Sequence, residues 1–155
     1  MLSSASSSNG SYEIESPVMA NVHQRTRSDH ATEMAEDYVE AIADVISRSG
    51  ICRSSDLVDY FNVTHATVSN TVGRLARDGF VITQPYRPVT LTRKGKNLAA
   101  RCRQRHEVVE AFLLAIGVSE ATAIADSEGI EHHVSPETLN AMKRIVETGS
   151  LQMDS

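Results

Sequence analysis

Between Ala31 and Ile46 the apolar residues Met34, Tyr38, Ala41, Ile42, Val45 and Ile46 recur at three- and four-residue steps. That period predicts an amphipathic helix, and Gly50 supplies its C-terminal stop. Ile51-Cys52-Arg53 reads as a short extended piece. Ser54-Ser55-Asp56 then predicts a cap for a second helix through Phe61, with Leu57, Val58 and Phe61 inward. After the brief turn Asn62-Val63, Thr64 caps a third helix to about Asp78, buried along Val68, Val72 and Leu75. Two β-rich runs, 80–83 and 89–92, flank Gln84-Pro85-Tyr86-Arg87-Pro88 and predict a hairpin. Thr92 caps a long helix from Arg93 to Ile116, apolar at Val108, Val109, Phe112, Leu113 and Ile116, and Gly117 breaks it. Residues 119–133 and 135–148 follow as two more helices, with Pro136 suited to a first helical turn.

The expected fold class is therefore mainly α with a small β-hairpin. Helix, short turn, helix and hairpin over residues 31–92 form a winged helix-turn-helix, and residues 93–155 a helical second part. Residues 1–30 hold eight serines and no apolar period, so they read as a flexible N-terminal arm ending near His23, Arg25, Arg27 and His30. The third helix would be the recognition helix. At about 100° per residue, its buried stripe leaves Ala66, Thr67, Asn70, Arg74 and Arg77 on the outer side. Asn pairs with adenine, Thr offers a hydroxyl and a methyl, and Arg meets phosphate or guanine. Arg87 stands at the wing tip, where phosphate contact is natural.

The formal charge of −5 looks wrong for a nucleic-acid binder, but it conceals a partition. Residues 1–64 hold ten acidic and four basic side chains, residues 65–105 one acidic and nine basic, and residues 106–155 nine acidic and two basic. A basic block between acidic flanks suits a polyanion in the middle and cations at the sides. The longest purely apolar stretch, Ala111–Ile116, is far too short for a membrane span. No secretory signal is visible, and Cys52 and Cys102, fifty positions apart, suggest neither a disulfide scaffold nor a zinc ribbon. A cytoplasmic location is expected.

The acidic flanks carry a second signal. Asp37 and Glu40 share one side of the first helix, and Glu128, Glu131 and His132 stand at i, i+3 and i+4 on another. With His106 on the long helix, three helices present four carboxylates and two imidazoles. Burying that much negative charge is costly unless cations neutralise it, as two divalent ions bridged by shared carboxylates would. Glu107, Glu110 and His133 are equally eligible by spacing. Catalytic signatures are missing: Glu110 stands where H-E-x-x-H needs its second histidine, and there is neither a glycine-rich phosphate loop nor a G-x-S-x-G elbow. A dinuclear metallohydrolase is thereby disfavoured, and an enzyme is not expected.

The strings Glu36-Asp37-Tyr38-Val39-Glu40, Leu91-Thr92-Arg93-Lys94-Gly95-Lys96, Arg105-His106-Glu107 and Asp126-Ser127-Glu128-Gly129-Ile130-Glu131-His132-His133 make the sequence recognisable. Over residues 31–148 it resembles the diphtheria-toxin-repressor family of metalloregulators, most closely the manganese branch. The resemblance implies metal ligands at Asp37, Glu40, His106, Glu128, Glu131 and His132, with Glu128 and Glu131 bridging a pair of Mn(II) ions. It disfavours Glu107, Glu110 and His133. Iron-type members are similar but place Met at the position of Asp37 and Cys at that of Glu128, and many add a C-terminal SH3-like domain for which a chain ending at Ser155 leaves no room. The family likeness further implies a homodimer on a palindromic DNA operator, without an organic substrate, controlling genes of manganese uptake and efflux. Val109, Phe112, Leu113 and Ile116 with Leu139, Met142 and Ile145 would form the dimer face. The rivals are an iron- or zinc-responsive repressor and a metal-independent winged-helix regulator.

Overall fold

A computed structural model describes residues 17–149. The Ser-rich residues 1–16, the side chains of His23, Arg25 and Arg27, and residues 150–155 lie outside the described residues. Helix α1 runs Pro17–Ser49, so it begins at Pro17 and not at Ala31 as the periodicity predicts. Extending an existing helix adds a hydrogen bond for each residue fixed, so segment 17–30 needs no apolar stripe once the later turns are anchored. The compact body begins at Glu33. Met34, placed inward by its spacing, is 45% exposed, and the buried stripe starts at Tyr38 and includes Val39.

Gly50 at φ 83° ends α1. Helix α2, Ser54–Phe61, is capped one residue earlier than expected: the Arg53 amide donates to Asp56 Oδ2 at 2.7 Å, and Ser54 and Ser55 lie inside the first turn. Asn62 at φ 51° closes it. Helix α3, His65–Arg77, begins as the sequence indicates, with Thr64 Oγ1 accepting the Thr67 amide at 3.2 Å. Val68, Thr71, Val72 and Leu75 are buried along it.

The hairpin is shorter than its β-rich runs. Strands β1, Val81–Ile82, and β2, Thr90–Leu91, pair antiparallel with Val81 opposite Leu91 and Ile82 opposite Thr90. Pro85 and Pro88 lack amide donors and break the ladder between them. Val89 bridges instead to Cys52, whose carbonyl accepts its amide at 2.7 Å, fixing the wing to the segment before α2.

Helix α4, Arg93–Ala115, is capped by Thr92 Oγ1, which accepts the Gly95 amide at 3.1 Å. Its first half places Leu98, Ala99 and Cys102 in one core with Tyr38, Ile42, Leu57, Val68 and Val81; its second half buries Val109 and Leu113 against Ala123 in another. Helix α5, Glu120–Ile130, tightens into a 3-10 turn, Glu131–His133, before α6, Pro136–Thr148, capped by Ser135 with Pro136 in its first turn. Val109 and Leu113 of the expected dimer face are buried within the one chain, while Phe112, Leu139 and Met142 pack on the second core and stay partly exposed. Ile116, Leu114, Ile124 and Val146 remain exposed. No helix among the described residues is long and apolar enough to cross a membrane.

Candidate metal centre and nucleic-acid interface

Helix α1 carries Glu36, Asp37 and Glu40 within about one turn of one another, and α4 brings Arg105 and His106 to the same region. The 3-10 turn decides the third contribution. A 3-10 helix advances about 120° per residue against about 100° in an α-helix, and the tightening turns both Glu131 and His132 inward. Their side chains are 0% and 3% exposed, whereas that of Glu128, one turn back on α5, is 67% exposed.

Two groups of donors result, with Glu131 between them. His106 Nδ1 lies 3.9 Å from Glu128 Oε1 and 3.9 Å from Glu131 Oε1. These three side chains offer donor atoms within 4.8 Å of one another. On the other side, His132 Nε2 lies 3.0 Å from Asp37 Oδ1 and 3.7 Å from Glu131 Oε1. Glu40 lines a cleft of about 290 Å³ together with His106, Glu128 and Tyr60. Of the three alternatives left open by spacing, Glu107 is exposed, and His133 turns outward to Glu33 at 3.5 Å. Glu110 is close, but on the other ring nitrogen: its Oε2 lies 3.3 Å from His106 Nε2, where Ser127 Oγ also sits at 3.4 Å. That leaves Nδ1 facing Glu128 and Glu131.

The electrostatics of the cluster suit a bound cation. Both carboxylate oxygens of Glu131 are buried without a hydrogen-bond partner. Burial, with the charge of Glu40 adding to it, pushes the Glu131 carboxyl up to about 8. Glu40 is raised as well, by burial and then by Glu128. Arg105, the nearby guanidinium, is engaged by Glu36 at 2.7 Å. A buried carboxylate left unpartnered costs several kcal/mol, and a divalent cation bound by hard oxygen and imidazole donors removes that cost. Cys102 stays out of this chemistry: it is fully buried, and burial pushes its thiol up to about 12.

Sequence reasoning missed Glu36 and Arg105. Glu36 is buried, and its Oε2 accepts from His132 Nδ1 at 2.7 Å and from Arg105 at 2.7 Å. Burial works to raise its pKa, and the hydrogen bonds from His132 and Arg105 outweigh it and hold the carboxyl below the usual range. His132 is pushed up to about 10, first by its hydrogen bond to Asp37 and then by that to Glu36. The signal was in the sequence, since Glu36 adjoins Asp37 and Arg105 adjoins His106.

At the other end of the body, Ala66, Thr67, Asn70, Arg74 and Arg77 all lie exposed on α3, and Arg87 is exposed on the wing. Thr67 Oγ1 is partly committed, 2.9 Å from the capping Thr64 hydroxyl. A groove of about 820 Å³ runs between α3 and the wing, lined by Arg53, Ser55, His65, Ser69, Tyr86 and Arg87 among others. Arg53, His65 and Ser69 are further polar groups of this face that the helical stripe did not single out. Tyr86, at φ 60° and fully exposed, presents a ring at the wing tip.

Residues 30–89 match the family described as iron dependent repressor, N-terminal DNA binding domain, and residues 92–150 its metal binding and dimerisation domain. The transcriptional regulator MntR of Salmonella typhimurium is 45% identical over 118 residues, which cover 76% of this chain and 75% of that protein. The protein of the same name from Escherichia coli O6:H1 is 43% identical over 120 residues, 77% of either chain. Among solved structures, the manganese regulator SloR superposes with a TM-score of 0.63 at 23% identity, a likeness of fold; the match covers 73% of this chain and 53% of that one, so this chain spans about half its length.

Proposed function

Because the chain belongs to the iron-dependent repressor family of DNA-binding transcriptional regulators, we propose that it is a Mn(II)-responsive repressor acting as a homodimer on a palindromic operator in the cytoplasm. The family and the relatives are those of a transcriptional regulator. The observation that carries the reading is the orphaned Glu131 carboxylate, set between the Asp37/His132 and the His106/Glu128 groups. In this reading Asp37, Glu40, His106, Glu128, Glu131 and His132 hold two ions, with Glu128 and Glu131 bridging. A manganese-dependent transcriptional repressor among the solved structures, 25% identical with a TM-score of 0.61, supports the choice of metal. So does the donor set, all carboxylate and imidazole, since Mn(II) stands low in the affinity order and is selected by ligand type.

The bound metal supplies positive charge where three elements meet. The protein converts that local event into geometry. Tyr38, next to Asp37 on α1, stacks on Phe61 at the end of α2 with ring centroids 4.4 Å apart. A clasp joining α1 to α4 and to the 3-10 turn thus holds α2 and α3, and fixes how two recognition helices are spaced in a dimer. Metal favours the DNA-competent state only by its higher affinity for that state. The exposed Ile116, Leu114, Ile124 and Val146 supply apolar area for the second copy.

The test is fluorescence anisotropy with duplexes selected from a random pool, in Mn(II), Fe(II), Zn(II) or chelator. Mn(II) should activate at the lowest concentration. Activation by Fe(II) or Zn(II) alone would replace manganese by the same-family alternative, and metal-independent binding would support a plain winged-helix regulator. On the selected duplex, Arg74→Ala and Arg87→Ala should each weaken binding to every sequence and reduce the salt slope by about 1. Asn70→Ala should relax sequence preference. Unchanged affinity and preference in all three would remove α3 and the wing from the interface.

A change of metal preference should follow from two replacements. Asp37→Met with Glu128→Cys exchanges two anionic oxygen donors for softer sulfur donors and takes an oxygen out of the proposed bridge. The double variant should lose its preference for Mn(II) and respond more readily to Fe(II) or Co(II). Unaltered manganese activation in the same anisotropy titration would sink the selectivity claim.

A further inference from the structure

Both imidazoles of the cluster are gripped from behind, but not equally. His106 leans on Glu110, a side chain 31% exposed, whereas His132 leans on Glu36, only 6% exposed. Glu36 and Asp37 are neighbours on α1, and between them they address both nitrogens of one ring. Glu36 Oε2 lies 2.7 Å from Nδ1, and Asp37 Oδ1 lies 3.0 Å from Nε2. A carboxylate oxygen offers only lone pairs, so Nδ1 at that distance carries a proton and donates it. The same Oε2 accepts from Arg105 at 2.7 Å. The brace therefore ties three elements together through one oxygen atom: α1 by Glu36, α4 by Arg105, and the 3-10 turn by His132.

We infer that Glu36, charge-balanced by Arg105, is the positioning residue that fixes the His132 ring so that Nε2 is the atom presented to metal beside Asp37 and Glu131. The inference rests on the reading of His132 as a ligand. Its physical basis is general: a ligating histidine donates its second ring N–H to a carboxylate, which fixes ring orientation and tautomer and raises the basicity of the ligating nitrogen. Here the brace does more, because the ring sits in the middle of a single 3-10 turn, two residues before the chain becomes extended at Val134. Arg105 has a separate role. Its guanidinium, 2.7 Å from Glu36 Oε2, holds the buried carboxylate in place, so that it accepts from the ring and stays out of the ligand set.

The test measures Mn(II) binding by the loss of the free-ion electron paramagnetic resonance signal, on wild type and on Glu36→Gln, Glu36→Ala, Arg105→Ala and His132→Ala proteins. Ring-nitrogen NMR of the metal-free proteins is recorded alongside. Glu36→Ala and Arg105→Ala should weaken Mn(II) binding about 10- to 100-fold. Glu36→Gln, which keeps the shape and an acceptor for Nδ1–H, should fall between them and wild type. In the NMR spectra the hydrogen-bonded Nδ1–H of His132 should persist in Glu36→Gln and disappear in Glu36→Ala. Where Glu36→Ala unfolds, the isosteric Glu36→Gln carries the comparison. Wild-type Mn(II) affinity in folded Glu36→Gln and Arg105→Ala, beside weakened binding in His132→Ala, would overturn the positioning role and leave His132 a ligand. Wild-type affinity in His132→Ala would instead overturn the ligand assignment on which the inference stands.

Discussion

Glu131→Gln is expected to leave a folded protein that no longer responds to manganese. In the wild type the carboxyl is buried with neither oxygen hydrogen-bonded, so without metal it is a liability of several kcal/mol. Replacing it by the neutral amide of the same shape removes that liability, which at neutral pH is the cost of protonating a carboxyl pushed up to about 8, and the metal-free variant should unfold at the same temperature as wild type or above it. With manganese the order reverses. At a free Mn(II) concentration about 100 times the dissociation constant, binding stabilises the wild type by about 2.7 kcal/mol, or roughly 5–10 °C for a chain of this size. The variant, having lost the donor shared by both groups, should show no such rise. His106→Ala should likewise lose the metal response while keeping wild-type mass in sedimentation, since the exposed apolar residues lie elsewhere. Differential scanning calorimetry with and without Mn(II) checks both. A manganese-induced rise of wild-type size in Glu131→Gln would show that the orphaned carboxylate is not where metal binds.

The second large effect lies outside the metal cluster. Gly95→Ala should destabilise the protein by about 3 kcal/mol or more, close to 10 °C in unfolding temperature. A Cβ at Gly95 would stand 2.0 Å from the Phe80 carbonyl oxygen and 3.2 Å from the Leu91 side chain. The obstacle is backbone, and it is pinned: Phe80 O accepts the Thr92 amide at 3.0 Å and the Thr92 hydroxyl at 3.1 Å. Lys94 closes the same junction, donating to the Asp78 carbonyl at 2.7 Å and lying over the Phe80 ring at 4.3 Å. Relief requires the wing to move away from α4, so DNA affinity should fall together with stability. An unfolding temperature within a degree or two of wild type would contradict this packing.

The Gly95 junction also shows what was legible in advance. Caps and stops are local chemistry, and Thr64, Thr92, Ser135-Pro136, Gly50 and Gly117 mark their elements in the sequence because each acts within a few residues of itself. The recognition stripe Val68/Val72/Leu75 was equally readable, since one helix's period suffices. Where tertiary packing chooses, the sequence was silent. Nothing local says that α5 tightens at Glu131 and turns two consecutive polar side chains inward. Spacing grouped Asp37 with Glu40 and Glu128 with Glu131 and His132, yet it could not separate Glu110 from these. Glu110 lies beside His106, but on the ring nitrogen that faces away from Glu131. Glu36 and Arg105 escaped notice for the same reason: a carboxylate next to a candidate ligand reads as a solvated face until the neighbouring elements bury it. The apolar stripe on α4 was assigned to a partner copy, and two of its residues, Val109 and Leu113, are buried within the same chain. The opposite error occurred at segment 17–30, where absence of an apolar period was taken for absence of helix.

Anomalous diffraction at the manganese edge, from crystals of the Mn(II)-loaded protein, tests the central claim most directly. Two peaks per subunit are expected within the set Asp37, Glu40, His106, Glu128, Glu131 and His132, with Glu128 and Glu131 touching both. A single peak, or peaks that leave Glu131 uncoordinated and gather instead on Glu107, Glu110 or His133, would contradict it.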